Sequence, residues 1–215
     1  MTRLFKTTPA SVARRFTNLA VHRRLTHPCN EPDLKPLLAR SYGHAQGTGV
    51  IGPGAQRLLR TMLVNALTPS TERCDVVVTR FYLERLLGAE SARLSPRFAP
   101  TLGVTETFED AIEHLERRPS YGTTNGRFNQ RPVLWLATPG ADADVVTQAL
   151  ENRSAIDLIA LFNGPWPYGP TQFIDHDGPR RLPEHTMRLL TRDQAVAKLH
   201  CLSPSLRRAP SERMR

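Results

Sequence analysis

From residue 47 onward, short apolar runs alternate with stretches of helical period, the order expected of a parallel α/β sheet. Val50 and Ile51 predict a first strand. Residues 55–67 predict a helix with Leu58, Leu59, Met62, Leu63 and Ala66 on one face, stopped by Thr68 and Pro69. Residues 74–79 read as a strand buried on both faces. A helix through Leu83, Leu86 and Leu87 follows and closes at Gly88, a residue suited to a left-handed C-terminal turn. The next unit is a short strand at 102–104, after which Thr107 and Asp110 open a helix as a capping box, with Phe108, Ala111, Ile112 and Leu115 inward. Residues 132–137 predict a strand, 142–151 a helix and 156–162 another strand. Residues 172–174, a turn through Asp177 and Gly178, and residues 187–190 predict two closing strands. Thr191 and Gln194 then cap a last helix through Leu199. Residues 119–131 have too few apolar side chains for a core element and predict a long loop.

This pattern predicts one α/β domain: three layers, a mostly parallel sheet of P-loop-NTPase-like topology, and a C-terminal antiparallel strand pair. A length of 215 residues with 40% hydrophobic content suffices for one substantial core. No apolar stretch approaches the ~18 residues needed to span a bilayer. The three cysteines, Cys29, Cys74 and Cys201, have no C-x-x-C spacing and an odd number, which fits a reducing cytoplasm better than a disulfide framework.

Charge changes the picture at the ends. The formal charge is +9, yet residues 1–40 carry eight Lys/Arg against two acids and residues 179–215 nine against three. The middle is mildly acidic. The expected organisation is therefore a basic N-terminal arm over 1–40 with a short amphipathic helix, a folded domain over 41–202, and a basic tail over 203–215. Arg14, Arg15, Arg23, Arg24, Arg207 and Arg208 are the candidate nucleic-acid contacts, although loose Arg-rich termini are also commonly just solvated. Residues 11–25 place Val12, Phe16 and Leu19 at helical spacing among arginines, with no acid. Three readings stand: an organellar-type leader, a membrane-surface helix, or a short helix docked on the domain.

The candidate chemistry centres on Gly49-Val50-Ile51-Gly52-Pro53-Gly54-Ala55, a nucleotide-binding-style turn opening the 55–67 helix. A working P-loop has G-x-x-x-x-G-K-[ST], whose lysine reaches the phosphates and whose hydroxyl residue holds Mg²⁺. The only lysines here are Lys6, Lys35 and Lys198, none near the turn. Gly47 to Gly52 also spells G-x-G-x-x-G, but Val50 and Ile51 are the strand itself, so the helix does not begin where that fingerprint requires. The metal-binding acid that ends a neighbouring strand in hydrolytic P-loop proteins is missing too. Residues 133–137 run into Thr138-Pro139-Gly140, and 156–162 into Asn163-Gly164-Pro165. No catalytic residue, metal ligand or cofactor is expected. A helix N-terminus can still hold an anion, so Gly52, Gly54, Ala55 and Arg57 are candidate ligand contacts.

Trp166 and Tyr168, in the stiff segment Gly164-Pro165-Trp166-Pro167-Tyr168-Gly169-Pro170-Thr171, are two further candidates. They form either an aromatic ligand edge at a strand's carboxyl end or a rigid cover with Trp166 buried. Asp175-His176-Asp177-Gly178 reads as a turn between strands rather than a metal loop. His22, His27 and Cys29 lack a fourth ligand at zinc spacing. His200-Cys201 has no acid partner identifiable from sequence, and no G-x-S-x-G elbow is present.

The ordered set Gly52-Pro53-Gly54-Ala55 with Arg57 and Arg60, Leu86-Leu87-Gly88, Asp110-Ala111 through Leu115-Glu116, Gly164-Pro165-Trp166-Pro167-x-Gly169-x-Thr171 and Asp177-Gly178 resembles an actinobacterial region. That region lies in large membrane-associated regulators, between transmembrane or LysM segments and a bacterial transcriptional activator domain of the antibiotic-regulatory (SARP) type. It is similar to a degenerate FtsK-like P-loop ATPase core. The resemblance implies a non-catalytic regulatory or interaction module with a protein partner. The transmembrane, LysM and activator segments are missing from this sequence, so anchoring and transcription activation do not carry over. The alternative is a nucleic-acid-binding protein acting through its arginine-rich termini.

Overall fold

Residues with apolar side chains on both faces form the strands, and amphipathic stretches between them form the covering helices. The computed structural model describes residues 37–69, 72–117, 131–151, 157–179 and 187–202. The chain divides into Met1–Asp33 and Leu34–Arg215, and every described residue lies in the second unit. Its elements are β1 (Thr48–Ile51), α1 (Ala55–Leu67), β2 (Asp75–Thr79), α2 (Arg80–Leu87), α3 (Ser91–Leu94), β3 (Leu102–Thr105), α4 (Phe108–Glu116), β4 (Val133–Ala137), α5 (Ala143–Glu151), β5 (Leu158–Asn163), β6 (Thr171–Asp175), β7 (Gly178–Pro179) and α6 (Arg192–Cys201).

The strands form one seven-stranded sheet in the order β3-β2-β4-β5-β1-β6-β7. All neighbours are parallel except β6 and β7. Strand alternation sorts the side chains into two cores. Val50, Val76, Val78, Leu134, Leu136, Ile159 and Leu161 face α1, α2 and α6. Val77, Val133, Trp135, Ala160 and Phe162 face α4 and α5 through Ala111, Leu115, Val146 and Leu150. Both predicted capping boxes form, at Thr107 with Asp110 and at Thr191 with Gln194.

The structure departs from expectation in three places. Residues 187–190 are not a strand, and the strand paired with β6 is only the two-residue β7. Leu189 and Leu190 are both buried, and consecutive inward side chains do not fit the two-residue alternation of a half-buried strand. The Leu190 N–H donates to Thr61 Oγ1 at 2.9 Å, which fastens this segment to α1. The folded body also starts before residue 41. Leu37, Ala39 and Tyr42 are buried, and a 3-10 turn over Leu38–Tyr42 is held by Leu38 N–H donating to Asn65 Oδ1 at 2.8 Å. Finally, Ser91–Leu94 and the 3-10 turn Ser95–Phe98 lie in the connection from α2 to β3, where no element was expected. The expected 11–25 helix, Arg14, Arg15, Arg23, Arg24, Arg207, Arg208 and nearly all of the 119–131 loop lie outside the described residues.

Candidate functional site at the carboxyl end of β1

β1 sits between β5 and β6, and its chain leaves into α1 on one face of the sheet. The chain leaving β5 instead passes to the opposite face, where Trp166 packs on Phe162. Neighbouring strands whose connections part to opposite faces open a crevice at their carboxyl ends, the usual ligand position in open α/β sheets. The glycine turn stands at that edge, with Gly52 and Pro53 exposed and Gly54 buried.

The turn's geometry is dictated by β6. Gly52 has φ +98°, which glycine adopts without penalty, and a Cβ there would lie 2.5 Å from the Ile174 carbonyl oxygen. A Cβ on Gly54 would collide with the Asp175 carbonyl oxygen. The Gly54 N–H donates to Ile174 O at 3.1 Å, and the Ala55 N–H donates to Gly52 O at 3.1 Å. Pro53 has no N–H to offer. Three consecutive positions of the turn thus point no free donor at a ligand, whereas a phosphate cradle is made of such donors.

Arg57 is engaged by backbone carbonyls. Its guanidinium donates to the carbonyls of His176 at 3.4 Å and Leu189 at 3.3 Å, tying α1 to the β6–β7 turn and to the segment before α6. An acid, Asp175 at the end of β6, does stand against the turn, its backbone carbonyl meeting the space where a Gly54 Cβ would lie. Its Oδ1 accepts the His176 N–H at 2.8 Å, inside the two-residue turn between β6 and β7. β4 and β5 end at Ala137 and Asn163, without an acid.

Trp166 and Tyr168 lie on the opposite face from Arg57, so the two groups of candidate contacts are not brought together. The segment after β5 doubles back across β1: Gly164 N–H donates to Val50 O at 3.0 Å, and Gly49 N–H donates to Pro170 O at 2.9 Å. Trp166 is 3% exposed, and its indole N–H donates to Gln46 O at 2.5 Å, at the amino end of β1. It belongs to a chain of rings, Phe108, Trp135, Phe162, Trp166 and Tyr168, with centroid separations of 5.4, 5.7, 4.3 and 5.5 Å. The Tyr168 hydroxyl donates to Asp144 Oδ1. Trp166 is thus buried as packing, while Tyr168, at the outer end of the rings, is 38% exposed.

His200 does have an acid partner. Its Nε2 stands 3.3 Å from Glu90 Oε2, and its Nδ1 2.9 Å from Arg97 Nη1. Arginine only donates, so Nδ1 accepts and Nε2–H donates to Glu90. The contact pins α6 to the turns before β3. The partners lie 110 and 103 residues away, which kept them out of reach of sequence spacing. Among the described residues, no cluster of three or more His, Cys, Asp or Glu side chains is placed to hold a metal ion, and no helix is long and apolar enough to cross a membrane. Comparison with known protein families, with curated proteins and with solved structures finds no match to this chain.

Proposed function

We propose that this chain is a non-catalytic regulatory or interaction module built on a degenerate nucleotide-binding α/β core. The observation that carries this reading is the state of the glycine turn. It keeps the place of a phosphate loop, between a central parallel strand and the first helix, while its Gly54 and Ala55 donors are committed to Ile174 and Gly52. The missing lysine and the strand ends Ala137 and Asn163 remove the groups that would neutralise a triphosphate and hold its metal. The resemblance to the central region of SARP-type regulators supports a role through a protein partner.

The test is phosphate release from ATP and GTP with Mg²⁺, together with titration of a fluorescent nucleotide. The expected result is release at the buffer rate and no tight Mg²⁺-dependent binding. Turnover above the blank that disappears in Pro53→Asp, a change at an exposed position of the turn, overturns the proposal.

A further inference from the structure

Arg60 is the outlying charge of the core. It is 7% exposed, and an arginine buried so far is ordinarily paired with a carboxylate. Here its Nε–H donates to Leu86 O at 2.6 Å and its Nη2 to Gln56 Oε1 at 3.1 Å, both neutral acceptors. Burial, then Arg192, lower its pKa; Tyr82 opposes them, and Arg57 adds the weakest lowering effect.

Arg192 converges on the same helix end. Its Cδ, Nε and Nη1 lie 3.4, 3.7 and 3.7 Å from where a Cβ would stand on Gly88, two residues past the carbonyl that holds Arg60. Arg57 lies one turn earlier on α1, and its Nε is buried with no hydrogen-bond partner. Among the described residues, none of the three forms an ion pair, Asp193 beside Arg192 included. The negative group at hand is the carbonyl end of α2, worth roughly half an elementary charge. Arg60 and Arg192 face it with two full positive charges, and Arg57, whose guanidinium donates to the His176 and Leu189 carbonyls, adds a third one turn away on α1, so most of the charge gathered here is unmatched by the described chain.

We propose that Arg57, Arg60 and Arg192 form a receptor for a phosphate-type oxyanion at the junction of α1, α2 and α6. Guanidinium forks match the oxygens of such a group. Arg60 is already fixed by two hydrogen bonds, which lowers the ordering cost of binding. Arg192, exposed and without a hydrogen bond of its own, closes over the anion. The site is on the flank of α1, not at the glycine turn, so it does not rest on the degenerate-fold reading.

The experiment is calorimetric titration of the full chain with sodium phosphate and with sodium pyrophosphate, at ionic strength held constant with NaCl. The expected result is saturable binding, weakened about tenfold or more in Arg192→Gln and in Arg57→Gln, with circular dichroism showing the variants folded. Arg188→Gln, a nearby exposed arginine, and Pro53→Asp at the turn should bind as the wild type does. Absence of saturable binding overturns the proposal, as does unchanged affinity in Arg192→Gln. An equal loss in Arg188→Gln overturns it in favour of diffuse positive charge, and a loss in Pro53→Asp in favour of the turn.

Discussion

Trp166 crosses β1 directly above Gly49: a Cβ on Gly49 would stand 2.8 Å from both the Cβ and the backbone nitrogen of Trp166, and 2.8 Å from the Gly164 carbonyl oxygen. The absent side chain lets the chain fold back over β1 and begin β6 beside it. Gly169 repeats the device, since a Cβ there would lie 2.6 Å from the Gly47 carbonyl oxygen. Gly49→Ala should therefore lift the crossing segment and destabilise the protein by about 1–3 kcal/mol. A lower urea midpoint with red-shifted tryptophan emission is the expected result, and an unchanged midpoint would show that the segment does not press on β1.

Gly54→Ala offers a second steric test, at the turn. Its Cβ would meet backbone at Asp175, which cannot rotate aside, so β6 must shift. The melting temperature should fall without any ligand, whereas Pro53→Ala at the exposed neighbouring position should change it little. If Gly54→Ala melts like the wild type but loses anion binding, the glycine serves a ligand and not packing.

Stability should decline at alkaline pH in two overlapping steps. Burial pushes the Cys74 thiol from 9.0 up to about 12 and the Tyr42 hydroxyl from 10.0 up to about 12. Between those values the unfolded chain has released protons that the folded chain still holds, so unfolding gains free energy as pH rises. The contribution is fully present below about pH 9 and is lost as pH climbs toward 12. Urea midpoints measured from pH 8 to 11 should fall, and in Cys74→Ala the fall should begin nearer pH 10, where Tyr42 and Tyr82, whose hydroxyl is also pushed up by burial, still act.

Arg40 joins two distant segments by donating to both Glu72 and Asp157, which raises its pKa. Its side chain is 42% exposed, so water screens the pair and the expected cost of Arg40→Met is about 1 kcal/mol. The loss should shrink in 1 M NaCl as screening shortens to roughly 3 Å. A loss independent of salt would point to packing of the side chain's stem instead.

Any nucleic-acid binding through the basic ends should weaken steeply with salt and vanish when the ends are removed. The truncation must retain Leu37, because Leu37 and Ala39 are buried in the core. Filter binding by a chain lacking residues 1–33 and 203–215 is the measurement. Sequence-selective binding by that trimmed body would place the nucleic-acid surface on the sheet domain.

Amino-acid order by itself determined the α/β class, α1 to its last residue, and both capping boxes. Each of these depends on neighbours within a few positions: apolar period, a threonine before a helix, an acid or glutamine three residues on. Tertiary structure decided which strand lies beside which, and with it the meaning of the glycines. Gly49, Gly52 and Gly54 read locally as a ligand turn, yet the atoms that fill their missing side-chain space come from residues 164–175, more than a hundred positions away. Helix faces could be assigned from period alone, but bringing Arg60 of α1 and Arg192 of α6 to the end of α2 required the three helices to pack there. Long-range contacts of this kind carry no spacing signature, because the chain between them can have any length the fold can route.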